Sequence, residues 1–167
     1  MEGVIGAVIL AAGASTRFGS PKQRLLLPRV LERVRAARSL GDIVVVLGAH
    51  PVETDARAVE CPDWERGPGA SLRGGLAALP DDAEAAVVIL ADGPDLSPAA
   101  IDRVIASWQG EPVLAAGYDG VRGHPVLLAR SIWADIPDDG ARALEPALVA
   151  CDDLGYPGDV DFAEDLT

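Results

Sequence analysis

Val4-Ile5-Gly6-Ala7-Val8-Ile9-Leu10-Ala11-Ala12-Gly13-Ala14-Ser15-Thr16-Arg17-Phe18-Gly19-Ser20-Pro21-Lys22 passes from apolar to small and then to cationic residues within 19 positions. A continuous apolar run such as Val4 to Leu10 marks a strand buried on both faces, which is the strand type of a parallel sheet. The loop that follows is built so that successive backbone N–H groups can converge on an anion with few side chains in the way. Arg17 offers a planar fork for phosphate oxygens, and Lys22 a compact movable charge. The loop is neither G-x-x-x-x-G-K-[ST] nor G-x-G-x-x-G. Taken alone, it is equally well explained as a flexible turn with two surface cations.

Outward from this stretch, strand and helix patterns alternate. A helix is expected from about Leu25 to Arg38, with Pro28 tolerable only in its first turn. Ile43 to Leu47 and Ala86 to Leu90 read as further buried strands, with a helix over Ser71 to Leu79 between them. Ser97 is placed to cap a helix opened by Pro98 and running to Ser107. Val113 to Tyr118 and Pro125 to Leu128 read as strands separated by a turn at Asp119-Gly120. Short helices are expected near Ser131 to Ile136 and Gly140 to Ala150. Strands alternating with helices predict a three-layer α/β fold with a mostly parallel sheet. A length of 167 residues fits one domain, residues 1–167. In such folds ligands bind beyond the carboxyl ends of the central strands.

Composition narrows the partners. The chain is 49% hydrophobic with a net charge of −12, which argues against a nucleic-acid or anionic-membrane surface. Residues 1–41 nevertheless carry a net of +5, against −17 for the remainder. For Arg29 to Arg38 a solvated helix face explains the charge; for Arg17 and Lys22, in a glycine-bounded loop, that explanation is weaker. Lys22 is the single lysine among 14 basic residues, and asparagine is absent. An Ala-, Gly-, Pro- and Arg-rich composition explains the scarcity of lysine without explaining where the survivor falls. Cys61 and Cys151 are too few and too far apart for a zinc site or disulfide framework, so reducing cytoplasm is the expected setting. The early Glu2 and the short apolar run predict neither a leader nor a membrane span.

A second strand end is chemically loaded. In Leu90-Ala91-Asp92-Gly93-Pro94, a carboxylate directly after a buried strand is placed to give one oxygen to a hard cation. An aspartate that initiates a turn is the competing explanation. His124, before Pro125, is a binding candidate or a residue of a fixed turn.

Together these residues resemble the molybdenum-cofactor nucleotidyltransferases and their sugar-nucleotidyltransferase-like superfamily. The resemblance rests on LAAGASTRFGSPK at 10–22, DWERGPGASLRGGL at 63–76, LADGP at 90–94, RGHPVLL at 122–128, DDGAR at 138–142 and GDVDFAEDL at 158–166. It implies a Rossmann-like α/β/α domain of the nucleotide-diphospho-sugar transferase type. It also implies transfer of a nucleotidyl group from a nucleoside triphosphate to a phosphorylated acceptor such as molybdopterin, with release of pyrophosphate. By this likeness Leu10, Ala11, Ala12, Gly13, Ser15 and Gly19 hold the nucleotide, with Gly69, Ser71 and Asp92. Arg17, Lys22 and Asp92 are the catalytic set. Arg73 and His124 face the acceptor. Asp92 and Asp161, with Asp159 as the alternative, bind Mg²⁺. Ser71 is open to a second explanation, since a serine there can equally cap a helix.

Leu-Ala-Ala-Gly with Pro21-Lys22 is closer to the cytidylyl-type members than to the guanylyl type, so CTP is the expected donor. Two alternatives stay open: guanylyl transfer within the same superfamily, with a molybdenum-cofactor or phospholactate-type acceptor, and a nucleotide-binding module without turnover. The second is favoured by the tail, where Phe162-Ala163 replaces the family's Thr-Pro. The expected partners are a nucleoside triphosphate and a small phosphorylated acceptor, bound by a monomer or weak homo-oligomer.

Overall fold

Among the described residues, seven strands form one mixed sheet in the order β3-β2-β1-β4-β6-β5-β7. They are β1 (Val4–Ala11), β2 (Ile43–Leu47), β3 (Arg57–Glu60), β4 (Ala83–Leu90), β5 (Val113–Tyr118), β6 (Val121–Ala129) and β7 (Ala147–Ala150). The computed structural model describes residues 4–11, 22–48, 54, 56–62, 64–91, 93 and 95–154, without the side chains of 22–25 and 64. Only β6 runs against its neighbours; β1 pairs in parallel with β2 and β4, β2 with β3, and β5 with β7.

Among the described residues, three α-helices cover the two faces: α1 (Lys22–Ala36), α2 (Pro68–Ala77) and α3 (Pro98–Ser107). The alternation of β1 shows why its run is apolar throughout. Ile5, Ala7 and Ile9 pack with α1 and α3, against Val30 and Ile101 for example. Val8 packs on the opposite face with Leu72 and Leu76 of α2 and with Trp133. With both faces covered, Ile5 to Ile9 are buried without a break, so no polar alternation develops. The three-layer α/β/α architecture expected from the sequence is the observed one.

Several local expectations need correction. Helix α1 starts at Lys22, so Pro28 lies in its interior instead of its first turn. Pro28 is exposed while Leu26, Leu27, Val30, Leu31 and Val34 are buried. That apolar stripe holds the helix together across the missing N–H. Helix α2 starts at Pro68 with Gly67 at its N-cap, so Ser71 is a fourth-position residue and not a cap. Ser97 does occupy the N-cap of α3, but its hydroxyl makes no capping bond.

The largest difference lies in residues 140–150. In place of a helix there is a 3-10 turn over Ala141–Ala143, then strand β7 against β5. Pro146 cannot donate within a helix, and the open ladder of β5 supplies the partners that β7 takes. Strand β3 has no counterpart in the sequence pattern, because four residues at a solvated edge leave no periodicity to detect. The short helix expected near Ser131 to Ile136 is a 3-10 helix over Arg130–Asp135. The β5–β6 turn is as expected: Asp119 and Gly120 take φ of 53° and 79°, the two positive values of a two-residue hairpin turn.

Candidate active site

The chain order places a switch point at the centre of the sheet. From β1 the chain moves outward to β2 and β3, then returns to β4 on the other side of β1. Crevices of doubly wound sheets form where neighbouring connections leave in opposite directions. Here β1 and β4 are paired up to Leu10 opposite Leu90, and the Ala91 N–H donates to the Leu10 carbonyl at 3.0 Å. The two loaded segments of the sequence therefore leave the sheet side by side, one after Ala11 and the other after Ala91.

A cleft of about 380 Å³ opens at this edge, with both Leu10 and Leu90 in its wall. Leu72 of α2, Val88 of β4 and Val126 of β6 complete an aliphatic floor. Its polar side comes from Arg122, Gly123 and His124 on β6 and from the segment Asp139 to Arg142. His124 reaches the cleft because β6 bulges there. Ala115 pairs with Val126 and Gly117 with Arg122, so three residues, 123–125, stand opposite the single Ala116. Pro125, which cannot donate to a ladder, falls within the bulge, so the His-Pro element is strand and not the turn expected. The buried Tyr118 hydroxyl donates to the His124 carbonyl at 2.8 Å and fixes the bulge.

The 139–142 side of the cleft is held by close backbone approach. Gly67, at φ 128°, and Gly69 lie directly against residues 137–138, where the Gly69 N–H donates to the Asp138 carbonyl at 2.8 Å. A β-carbon on Gly69 would come within 1.7 Å of the Pro137 carbonyl oxygen. Arg73 turns toward the same segment, donating to the Ile136 carbonyl and pairing with Asp138 at 2.7 Å. Asp138 also meets Arg66 at 3.4 Å. Gly69 and Arg73 thus hold the 136–142 segment in place, and neither lines the cleft.

The hydrogen bond from Arg73, then the charges of Arg66 and Arg73, hold the Asp138 carboxyl below its ordinary value. A depressed carboxylate stabilises the fold above its unfolded pKa of about 3.9, and the gain is lost as pH falls through the lower folded value. The stability difference between the native protein and Asp138→Asn is therefore expected to be constant near neutrality and to shrink below about pH 4. Urea midpoints measured across that range check it; a difference unchanged down to pH 2 would rule the linkage out.

Ser71 is buried, at 3% exposure. It sits in the first turn of α2, one residue before Leu72 of the cleft floor. Leu10 and Ala11 end β1, where Ala11 is paired with Leu47. Lys22 is the first residue of α1. Ala12, Gly13, Ser15, Arg17 and Gly19 lie outside the described residues, as do Asp92, Asp159 and Asp161. Among the described residues no group of three or more His, Cys, Asp or Glu can hold a metal ion. Nor is any described helix long and apolar enough to cross a membrane.

Two features of the site were not foreseen. They are Arg122 on the cleft edge of β6 and the wall formed by residues 139–142. No local signal marks either, since both depend on contacts between distant parts of the chain.

Comparison with known proteins agrees with this geometry. Over 137 residues the chain is 31% identical to the 2-C-methyl-D-erythritol 4-phosphate cytidylyltransferase of Stenotrophomonas maltophilia, covering 68% of this chain and 56% of that protein. The enzyme of the same name from Xanthomonas euvesicatoria is 30% identical over 138 residues, with 68% and 49% covered. The chain thus spans about half the length of the curated relatives it matches. Among solved structures, the Rv0371c homologue from Mycobacterium sp. strain JC1 superposes with a TM-score of 0.81 at 27% identity, over 97% of this chain and 92% of that one. Rv0371c of Mycobacterium tuberculosis gives 0.80 at 28% identity, over 99% and 96%, and a second structure of it was determined in complex with manganese. A family model of MobA-like NTP transferase domains matches residues 7–150, and with that match across most of its length the chain belongs to this family.

Proposed function

We propose that the chain transfers a nucleotidyl group, from CTP, to a phosphorylated small-molecule acceptor and releases pyrophosphate. The observation that carries this reading is the cleft at the β1/β4 switch point, which lies against both strand ends that lead into Arg17, Lys22 and Asp92. The acceptor occupies the cleft beside His124, and the triphosphate lies along the loop after β1. An acceptor phosphate oxygen attacks the α-phosphorus in line, one P–O bond forms, and the bond to the leaving pyrophosphate breaks. Such a nucleophile is already ionised at neutral pH, so no side chain has to take its proton.

The task left to the protein is positioning and charge. Arg17 and Lys22 offset charge on the leaving pyrophosphate. The Ser71 hydroxyl, buried in the first turn of α2, is assigned to the nucleobase, since a hydrogen bond made out of water counts for most. Asp92 with Asp161, or Asp159 in its place, gives an all-oxygen donor set suited to a hard ion such as Mg²⁺. When bound, that ion supplies Lewis-acid stabilisation of phosphate charge. Molybdopterin is the acceptor that the motifs favour. The names of the matched relatives favour 2-C-methyl-D-erythritol 4-phosphate as a second reading.

The test is a panel of the four nucleoside triphosphates, with and without Mg²⁺, followed by thermal shift and by pyrophosphate release in the presence of each acceptor. CTP with Mg²⁺ is expected to stabilise the protein most and to turn over. A preference for GTP would replace the donor. Stabilisation indifferent to Mg²⁺, with no turnover, would leave a binding module only. In the same assay Lys22→Arg is expected to lose about 10²-fold in turnover, because a planar fork does not reproduce a compact ammonium.

A further inference from the structure

Helix α3 joins the two stretches of chain that carry the carboxylates assigned to the divalent ion. Its first residue, Pro98, follows Asp92 by six positions. Five positions further on, Arg103 grips the end of β7. Its guanidinium donates to the Ala150 carbonyl at 3.0 Å and takes both oxygens of the Asp153 carboxylate, at 2.7 and 3.0 Å. The same short stretch is tied to the β5–β6 hairpin, by the Cys151 N–H on the Gly117 carbonyl at 2.8 Å and by the Asp119 N–H on the Asp152 carboxylate. Asp159 follows Asp153 by six residues and Asp161 by eight.

Direction and reach both depend on this grip. Strand β7 runs in the same direction as β4, so the chain leaves it at the sheet edge where Leu90 leads into Asp92. In the sheet order β7 stands three strands from β4, a separation of about 14 Å at a spacing of about 4.8 Å. An extended chain covers about 20 Å in six residues and about 26 Å in eight. Either carboxylate can cross that distance, and the point from which the chain departs decides whether it arrives. The side chains of Arg103 and Asp153 are 37% and 66% exposed, so their pair contributes little to stability. What the two-pronged contact and the bonded carbonyl supply is a fixed point of departure. We propose, resting on the reading in which Asp92 shares a divalent ion with Asp161 or Asp159, that Arg103 is a positioning residue for that ion. By holding Ala150 and Asp153 it starts the following residues from the carboxyl edge of the sheet, which lets their carboxylate reach the ion.

The test titrates Mg²⁺ into the full chain at fixed CTP and reads the midpoint of the Mg²⁺-dependent part of the thermal shift. Asp161→Asn, or Asp159→Asn in its place, is expected to raise that midpoint, and Arg103→Gln to raise it about tenfold. Arg103→Lys is expected to fall between native and Arg103→Gln, since one ammonium does not reproduce the fork. Asp153→Asn loosens the grip from its exposed side and is expected to act in the same direction as Arg103→Gln, whether or not that variant folds. Arg130→Gln is the matched control: Arg130 braces the Pro80 and Ala83 carbonyls at the far end of β4, and its loss is expected to leave the midpoint within about twofold. A residue that acts through the tail carboxylate adds nothing once that carboxylate is gone, so Arg103→Gln is expected to have no further effect in the Asp161→Asn or Asp159→Asn background that raised the midpoint. If one tail variant raises the midpoint while Arg103→Gln and Asp153→Asn do not, or if the losses simply add, the positioning role falls and the metal reading stands. If neither tail variant moves it, the metal reading falls and takes the role of Arg103 with it.

Discussion

The Gly69→Ala protein is expected to melt well below the native one, roughly 6–12 °C lower, from a destabilisation of about 3 kcal/mol. The added carbon would stand 1.7 Å from the Pro137 carbonyl oxygen and 2.7 Å from its carbon. Both are backbone atoms, so no side chain can rotate away to make room, and the 136–140 segment has to move instead. That movement breaks the Gly69–Asp138 hydrogen bond and pulls on the Arg73 contacts to Ile136 and Asp138. Because Asp139 and Gly140 belong to the cleft wall, ligand binding in the cleft is expected to weaken along with stability. Gly74, on the same helix, is the internal control. A β-carbon there meets nothing within 4 Å, so Gly74→Ala is expected to stabilise by up to about 1 kcal/mol. Thermal and urea unfolding of the two variants checks both signs. A Gly69→Ala protein as stable as the native one would mean that the 136–140 segment does not rest on α2.

Asp92→Ala carries the largest expected effect on turnover, a loss of about 10²–10³-fold or more in pyrophosphate release. The carboxylate follows the strand end at which Leu10 and Leu90 pair, and its proposed task is to hold the divalent ion against the triphosphate. Removing it is expected to abolish the Mg²⁺-dependent part of the CTP thermal shift and to leave the Mg²⁺-independent part nearly intact. This split separates loss of the ion from loss of the fold. Undiminished Mg²⁺-dependent stabilisation in the variant would take the metal away from Asp92.

Much of the architecture is legible along the chain. The central strands are read from unbroken apolar runs such as Val4 to Leu10 and Ala86 to Leu90, because burial on both faces removes every polar position locally. The Asp119-Gly120 turn and the Pro98 start of α3 are legible for similar reasons, since the required backbone angles favour particular residues at particular positions. Strand β7 is not legible. Ala147 to Ala150 has no strong preference of its own and becomes a strand because β5 leaves a ladder open beside it.

The site divides in the same way. The cationic loop and Asp92 are proposed from the sequence alone, because phosphate and metal chemistry demand particular residue types close together in sequence. What Arg73 and Arg122 do was not visible there. Arg73 meets Ile136 and Asp138, which lie 63 and 65 residues away, and Arg122 meets main-chain carbonyls 19 and 22 residues along. An arginine's composition and neighbours are the same whether it binds a ligand, braces a loop or faces water. The sequence by itself determined a doubly covered, mostly parallel sheet, because unbroken apolar runs and their alternation with helices follow from short-range pattern. Only the tertiary structure decided which arginine braces the wall and which one reaches the cleft, because a guanidinium takes its role from carbonyls and carboxylates that folding alone brings within 3 Å.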